Sequence, residues 1–282
     1  MDVSVIIPTY NRRQVLLRAI DSVLSQTVVA DEIIVVDDGS TDDTRKLLQL
    51  TYGERIKVLV QNNKGVSAAR NTGIRNSSSA WIALLDSDDE WLPEKLQQQK
   101  CVLEHDSNCV LCHTNEIWIR NGVRVNPMKK HKKTGGDIFE QCLPLCAISP
   151  SSALIKKELF DTVGMFDESL PACEDYDLWL RICASHPVNF LDKNLVMKYG
   201  GHKDQLSRKH WGMDRFRIKA LHKLLSKTVL SQEQKQLTTD MLEKKILILL
   251  KGAVKHGNHA LADECHWIIA QHNLSMPESL RC

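Results

Sequence analysis

The chain has 282 residues and a mass of 32.0 kDa, enough for one large domain or for one domain with an appendage. Charged residues make up 26% of it and hydrophobic residues 43%, the balance of an ordinary globular protein. The formal net charge of +2 argues against nucleic acid as a partner, because capture of a phosphate backbone needs an excess of positive charge.

The sequence predicts neither a secretory signal nor a membrane-spanning segment. The start, MDVSVIIPTYNRR, lacks the basic region and the long apolar region of a secretory signal. The longest aliphatic run, ILILL at 246–250, is far shorter than the roughly 20 residues that cross a bilayer. We therefore expect a cytoplasmic protein, and peripheral association with the inner face of the cell membrane is left open.

The nine cysteines are interpreted as reduced and mostly buried thiols, as in other cytosolic proteins. Cys109, Cys112 and His113 match the spacing of a c-type haem attachment motif. Their stretch alternates in the manner of a strand, however, and a haem site would need a secreted context. We interpret it as a core strand.

In the first hundred residues, runs typical of buried strands alternate with helical patterns. Strands are predicted at 3–8, 32–38, 56–61 and 81–86, and helices at 12–26, from Thr41 or Asp42 to Leu50, at 66–74 and at 95–104. Such alternation, with each strand apolar throughout, predicts a mostly parallel sheet with helices on both faces.

Polar residues follow each of these strands, at the place where ligands of parallel sheets bind. The segments are Pro8-Thr9-Tyr10-Asn11, Asp37-Asp38-Gly39-Ser40, Asn62-Asn63-Lys64-Gly65 and Asp86-Ser87-Asp88-Asp89. The carboxyl edge of the sheet is therefore the predicted site.

The second half is predicted to contain β-type runs at 110–119 and 151–156, a loop at 127–137, a short helix ended by Gly164 and an amphipathic helix at 173–185. After about residue 203 only helical patterns follow, at 214–225, 231–257 and 259–272. A helical region covering 204–282 is therefore expected after a domain covering 1–203.

Five motifs make the chain resemble the family 2 glycosyltransferases. They are VSVIIPTYNR, DEIIVVDDGSTDDT, GVSAARNTGI, LLDSDDEW and FDESLPACEDYDLWLRI, in the family's order and over residues 3 to about 202. The resemblance implies an α/β fold of GT-A type: a mostly parallel central sheet flanked by helices, with a Rossmann-like nucleotide-binding half at 1–100 and an acceptor-binding half at 101–203. The C-terminal helices carry no motif of the family.

The resemblance implies an inverting, metal-dependent enzyme that moves a sugar from a nucleotide diphosphate sugar, expected to be UDP-linked, to an acceptor hydroxyl. The acceptor would be a saccharide or a lipid-linked saccharide in cell-surface polysaccharide or glycolipid assembly. Family position assigns nucleotide binding to eight residues: Pro8, Thr9, Tyr10, Asp38, Lys64, Arg70, Asp86 and Ser87.

The acidic triplet suits the metal that such chemistry needs. Charge builds on the departing diphosphate, and Mg²⁺ or Mn²⁺ bound by carboxylate oxygens stabilises it. By resemblance Asp88 holds the metal and Asp86 contacts the ribose or the metal's waters, while Asp89 could instead cap the helix after Pro93. His202, after the hinge glycines 200 and 201, resembles a family position that contacts the metal or the pyrophosphate, and a solvated or capping histidine is the alternative.

Asp38 can accept the imide N–H of uracil or thymine, and the resemblance places Thr9, Tyr10 and Arg70 around the same base. A turn closed by Asx hydrogen bonds is the alternative interpretation of the Asp37-Asp38-Gly39 segment.

The acceptor hydroxyl needs a base, and Asp175 occupies the family's base position at the start of a helix. The helix N-terminus favours its ionised form, and one base facing one anomeric carbon implies inversion. Glu174 points about 100° away and is expected to hold the acceptor. Helix capping by both residues is the alternative.

Three further points stay open from the sequence. The lysines of MKKHKK at 128–133 could contact an anionic acceptor or a membrane, or form a solvated loop. A sugar nucleotidyltransferase is the alternative enzyme, although its glycine-rich phosphate loop is missing from PTYNRR. A non-catalytic binder of nucleotide sugars is the third class.

Overall fold

The computed structural model describes residues 2–201 and 210–275. Its first hundred residues alternate strands and helices: β1 (Val3–Thr9), α1 (Arg13–Leu24), β2 (Glu32–Asp37), α2 (Thr44–Tyr52), β3 (Lys57–Val60), α3 (Val66–Arg75), β4 (Trp81–Leu84), β5 (Glu90–Trp91) and α4 (Lys95–His105). β1 pairs in parallel with β2 and β4, and β2 pairs in parallel with β3. The predicted parallel sheet is therefore confirmed for this half.

The second hundred residues extend the same sheet. They form β6 (Leu111–Arg120), β7 (Val123–Val125), α5 (Phe139–Cys142), β8 (Leu154–Lys156), α6 (Leu159–Val163), α7 (Glu174–Cys183) and β9 (Asn189–Gly200). The sequence did not predict β9. Two register shifts against β6 leave its polar middle, Asp192 to Asn194, exposed, and this interrupts the alternation that marks a strand.

The strand order is β3-β2-β1-β4-β8-β6-β9-β5, with β7 paired to β6. β8 is antiparallel to both β4 and β6, while β9 is parallel to β6. β6 and β9 therefore run in the same direction as β1 to β4. As a result, the carboxyl ends of strands from both halves of the chain meet at one edge of the sheet.

The central strands β1, β2 and β4 are buried on both faces, as their apolar runs predict. Along β1, Ile6 packs into the core on one face, while Val5 and Ile7 pack into the core on the other. Gly73 of α3 lies directly against Ile6, and a Cβ at this position would collide with the isoleucine side chain. The missing side chain lets α3 approach the sheet closely, which brings Arg70 to the carboxyl edge.

The helices predicted after residue 210 are present: α8 (Asp214–Lys227), α9 (Gln232–Lys255) and α10 (His259–Gln271). Ser231 and Gln234 form a capping box at the start of α9. The three helices share one hydrophobic cluster with α7 and with the sheet residues Ile82 and Ile155. The division into regions 1–203 and 204–282 stays a prediction.

Within the described ranges, none of the helices is both long and apolar enough to cross a membrane.

Candidate active site

The acidic loop after β4 is held by two arginines, one just before α1 and one in the middle of this helix. Asp88 is 20% exposed, and its Oδ2 accepts a hydrogen bond from Arg12 Nη1 at 2.8 Å. Arg18 donates from Nη2 to the backbone carbonyl of Asp88 at 2.6 Å. Charge-assisted hydrogen bonds of this kind offset the repulsion within the acidic triplet.

One buried arginine joins Asp86 to Glu174. Arg70 donates from Nη2 to Asp86 Oδ1 at 2.7 Å and from Nη1 to Glu174 Oε1 at 2.6 Å. Burial lowers the pKa of Arg70, but the two carboxylates outweigh it and raise the pKa above its ordinary value. Burial, and then the neighbouring Asp175, raise the pKa of Glu174. Arg70 and Glu174 thus lie at the site but are paired with each other, and their contacts with a base and an acceptor stay predictions.

Asp89 is buried and does not cap α4, which begins without a side-chain cap at Glu94. Its Oδ2 accepts a hydrogen bond from Ser151 Oγ at 2.6 Å, and its Oδ1 accepts one from the Tyr199 backbone N–H at 3.0 Å. Burial, and then the charge of Asp88, raise its pKa well above the ordinary value. Asp89 therefore joins the acidic loop to β9.

Asp38 organises the loop between β3 and α3. Its Oδ1 accepts hydrogen bonds from Gln61 Nε2 at 2.7 Å and from the Lys64 N–H at 2.9 Å, and its Oδ2 accepts one from the Gly65 N–H at 2.8 Å. With 4% of its surface exposed, Asp38 holds backbone at the carboxyl edge. Recognition of a base by Asp38 stays a prediction.

The alternative interpretation of the Asp37-Asp38-Gly39 segment, a turn held by an aspartate side chain, applies to Asp37. Its Oδ1 accepts a hydrogen bond from the Ser40 N–H, three residues on, at 2.9 Å, which holds the turn at the end of β2.

The remaining residues predicted to bind the nucleotide are spread along the same edge. Pro8 and Ser87 line a cavity beside Asp86, and Thr9 is buried. The side chain of Tyr10 is 46% exposed and Lys64 is exposed as well. His202, predicted as a metal ligand, lies outside the described residues.

Asp175 lies in the first turn of α7, after Cys173 has adopted a left-handed conformation with φ of 62°. Its Oδ1 accepts a hydrogen bond from the Tyr176 N–H at 2.7 Å. The thiol of Cys146 lies 3.1 Å from its Oδ2. Burial, and then the Asp175 carboxylate, raise the pKa of Cys146 well above the ordinary value. The thiol therefore stays protonated at neutral pH, and its one proton can be donated to Asp175 Oδ2 or to the Ile148 carbonyl oxygen, which is also 3.1 Å from the sulfur.

Two cavities meet at Asp175. The first, of about 270 Å³, is lined by Asp86, Ser87 and Asp88 together with residues of α3 and α7. The second, of about 710 Å³, lies between β6, the loop at 130–133 and α8. Both are lined by Asp175, Lys198 and Tyr199. The geometry thus provides two adjoining spaces with one carboxylate at their junction.

Three residues at the site were not predicted from the sequence: Arg12, Cys146 and Lys198. Lys198 donates to Ser149 Oγ at 3.0 Å. Burial lowers its pKa, but the charges of Glu116, Asp89 and Asp86 outweigh it and raise the pKa above the ordinary value. Its position near the end of β9 would have been a signal, had that strand been predicted.

Comparison with known proteins identifies the family. Residues 4–164 match the family described as Glycosyl transferase family 2. The chain therefore belongs to this family, as its five motifs indicated.

The fold is similar to that of a protein whose crystal structure is known. The chain superposes on S. aureus TarS, crystallised as residues 1–349 in complex with UDP-GlcNAc, with a TM-score of 0.70 and 20% identity. The superposition covers 88% of this chain and 72% of that one. The predicted α/β fold of GT-A type with a helical C-terminal region is confirmed.

Similar sequences occur among curated bacterial proteins. An uncharacterized glycosyltransferase of Rickettsia bellii is 35% identical over 213 residues, which are 73% of this chain and 31% of the relative's length. The Escherichia coli protein WfgD, a UDP-Glc:alpha-D-GlcNAc-diphosphoundecaprenol beta-1,3-glucosyltransferase, is 31% identical over 69% of this chain and 74% of its own. The chain thus spans about a third of the first relative and about three quarters of the second.

Proposed function

We propose that this chain is a glycosyltransferase that moves a sugar from a UDP-sugar to an acceptor hydroxyl, with Asp175 as the base. The observation that carries the proposal is the position of Asp175, which lines both the cavity beside Asp86 and the larger cavity next to it. A base between donor and acceptor can take the proton from the hydroxyl as it attacks. One displacement at one carboxylate inverts the anomeric configuration.

The relatives support the donor and acceptor classes. TarS was crystallised with UDP-GlcNAc, and the name of WfgD gives UDP-Glc as donor and GlcNAc-diphosphoundecaprenol as acceptor. We therefore include a UDP-linked donor and a lipid-linked saccharide acceptor in the proposal. Work on such an acceptor would take place in the cytoplasm, at the inner face of the membrane.

A divalent cation, Mn²⁺ or Mg²⁺, is part of the proposal, and the carboxylates beside the donor cavity suit it. Mg²⁺ is commonly held by one or two carboxylates together with substrate phosphates, and Asp86 and Asp88 are two partly exposed carboxylates in one cavity. No group of three or more His, Cys, Asp or Glu suited to a metal occurs within 2–201 and 210–275, so phosphate oxygens would have to complete the shell. The bound cation would neutralise charge on the departing diphosphate.

A donor panel tests the reaction class. The full chain is incubated with Mn²⁺, an acceptor mixture and UDP-, dTDP- or GDP-sugars, and the released nucleotide and pyrophosphate are measured. Release of UDP that stops on addition of EDTA supports the proposal. A second incubation replaces the nucleotide sugar by UTP, dTTP or GTP with a sugar 1-phosphate. Pyrophosphate release there would instead identify a nucleotidyltransferase, and nucleotide binding without turnover in either incubation would identify a binder.

The role of Asp175 is tested by the variant Asp175→Asn. It removes the base but keeps the size of the side chain, so UDP release in transfer should fall by about 10²–10⁴-fold while UDP affinity is retained. Asp161→Asn, on the exposed side of α6, is the matched control and should keep full activity. A loss of UDP affinity in Asp175→Asn would contradict the assignment.

A further inference from the structure

The cavity of about 710 Å³ next to Asp175 is rich in positive charge. Two acidic side chains, Glu116 and Asp175, line it, against six basic ones: Arg120, Lys130, Lys132, Lys133, Lys198 and Arg217. The whole chain has a formal net charge of only +2, so this concentration is local. Clustered cations in a concave space raise the affinity for anions.

Acidic residues cancel only part of this charge. Glu116 and Lys133 are 4% and 6% exposed, and they pair with each other at 3.0 Å. Of the remaining five basic residues, Arg217 pairs with Asp214 and Lys198 lies near Asp86 and Asp89. The other three, Arg120, Lys130 and Lys132, are exposed and form no ion pair within the described residues. Burial, and then the charges of Lys130 and Arg120, lower the pKa of His131 at the same wall, as a positive environment requires.

Arg217 is the basic residue that the C-terminal helices contribute to this cavity. It lies on α8, and its Nη1 donates to Asp214 Oδ1 at 2.9 Å, so one face of the guanidinium is fixed. The Nε is buried and finds no hydrogen-bond partner within the described residues. A planar guanidinium held in this way retains donors for an oxyanion.

The donor diphosphate and an anion bound at Arg217 would occupy different cavities. The donor diphosphate belongs beside Asp86 and Asp88, in a cavity that Arg217 and Arg120 do not line. With the larger cavity taken as the acceptor side, an anion at Arg217 is assigned to the acceptor. We propose that the acceptor carries a phosphate next to the sugar that it presents to Asp175, and that Arg217 recognises this phosphate. This inference rests on the proposed function, because it takes the larger cavity as the acceptor side.

The test compares two probes that differ only in the phosphate: GlcNAc 1-phosphate and methyl N-acetyl-α-glucosaminide. The full chain is first saturated with UDP and Mn²⁺, which fills the donor cavity, and each probe is then titrated by calorimetry. We expect the phosphorylated probe to bind at least about tenfold more tightly, since a charge-assisted contact is worth that much or more. Equal binding of the two probes would overturn the proposal.

Two variants and a control assign the effect to Arg217. Arg217→Gln should abolish most of the preference, and Arg217→Lys should keep part of it because the charge remains. Lys219→Gln removes the same charge from the exposed side of the same helix, where Lys219 pairs with Glu264, and should keep the full preference. Preference retained in Arg217→Gln, or lost equally in Lys219→Gln, would overturn the assignment.

UDP binding measured in the same titrations reports separately on the proposed function. If UDP binds but the two probes bind equally, only the phosphate site fails.

Discussion

Arg70 sets the geometry of both carboxylates that border the donor cavity. It is 3% exposed and bridges Asp86, which follows β4, to Glu174, which begins α7. The partners are 16 and 104 residues away along the chain. Sequence motifs placed all three residues at one edge of the sheet, but the pairing depends on how closely α3 packs, and this could not be predicted from local patterns.

Removal of Arg70 should therefore destabilise the fold as well as the site. Arg70→Gln leaves the buried Glu174 and the partly exposed Asp86 without their cation, and the free energy of unfolding should fall by about 3–5 kcal/mol. Urea unfolding followed by tryptophan fluorescence measures this. Arg75→Gln, on the same helix, loses only an exposed pair with Glu168 at 3.6 Å and should change stability by less than about 1 kcal/mol. Equal losses in both variants would contradict the bridging role.

At the scale of single elements, the strands with uninterrupted apolar runs were predictable, and β9 was not. β1, β2 and β4 are buried on both faces, so their sequences are mostly apolar. β9 pairs with β6 on one side and with β5 on the other, and a polar bulge interrupts it. Its last residues nevertheless supply Lys198 and Tyr199 to the site. The acceptor side of the site was therefore harder to predict from the sequence than the donor side.

β6 forms a wall of the larger cavity, and a buried histidine makes its stability depend on pH. His113 is fully buried, with Nε2 3.0 Å from the Thr134 carbonyl oxygen, and it anchors the loop that carries Lys130 and Lys132. Burial, and then the charge of Lys133, lower the pKa of His113 to about 3. The unfolded chain takes up a proton near pH 6.5, and the folded one does not.

The sign of the effect follows from this difference. The contribution of His113 to the free energy of unfolding is fully present above about pH 6.5 and is lost as the pH falls towards 3. The wild-type chain should thus lose about 2 kcal/mol of unfolding free energy between pH 6.5 and 5 through His113. His113→Gln keeps a donor for Thr134 and should not show this loss in urea titrations at the two pH values. His105→Gln, an exposed control, should behave as the wild type does; the same slope in all three chains would refute the prediction.

At the scale of the whole molecule, the C-terminal helices and the α/β part are joined by apolar packing and by charge. Lys223 of α8 donates to Asp167 and to Asp177 of α7, both at 2.7 Å. The periodicity of the sequence predicted these helices, but helical patterns do not show which surface they cover. The structure packs them against α7, the helix that begins with the candidate base. This contact gives the C-terminal region a role in holding Asp175.

Leu221 tests whether the molecule unfolds as one unit. It is fully buried in the cluster that α8 shares with α7 and the sheet, so Leu221→Ala should lower the free energy of unfolding by about 2–5 kcal/mol. If the core is continuous, hydrogen exchange followed by mass spectrometry should show this loss in the slowest-exchanging peptides of β4 and α7 as well as of α9. Val229→Ala, at a side chain that is 96% exposed, removes apolar atoms without opening a cavity and should leave exchange unchanged. Loss of protection confined to α8, α9 and α10 would mean that these helices fold as a separate unit. They would then contribute to the site only by packing as a folded unit against the α/β part.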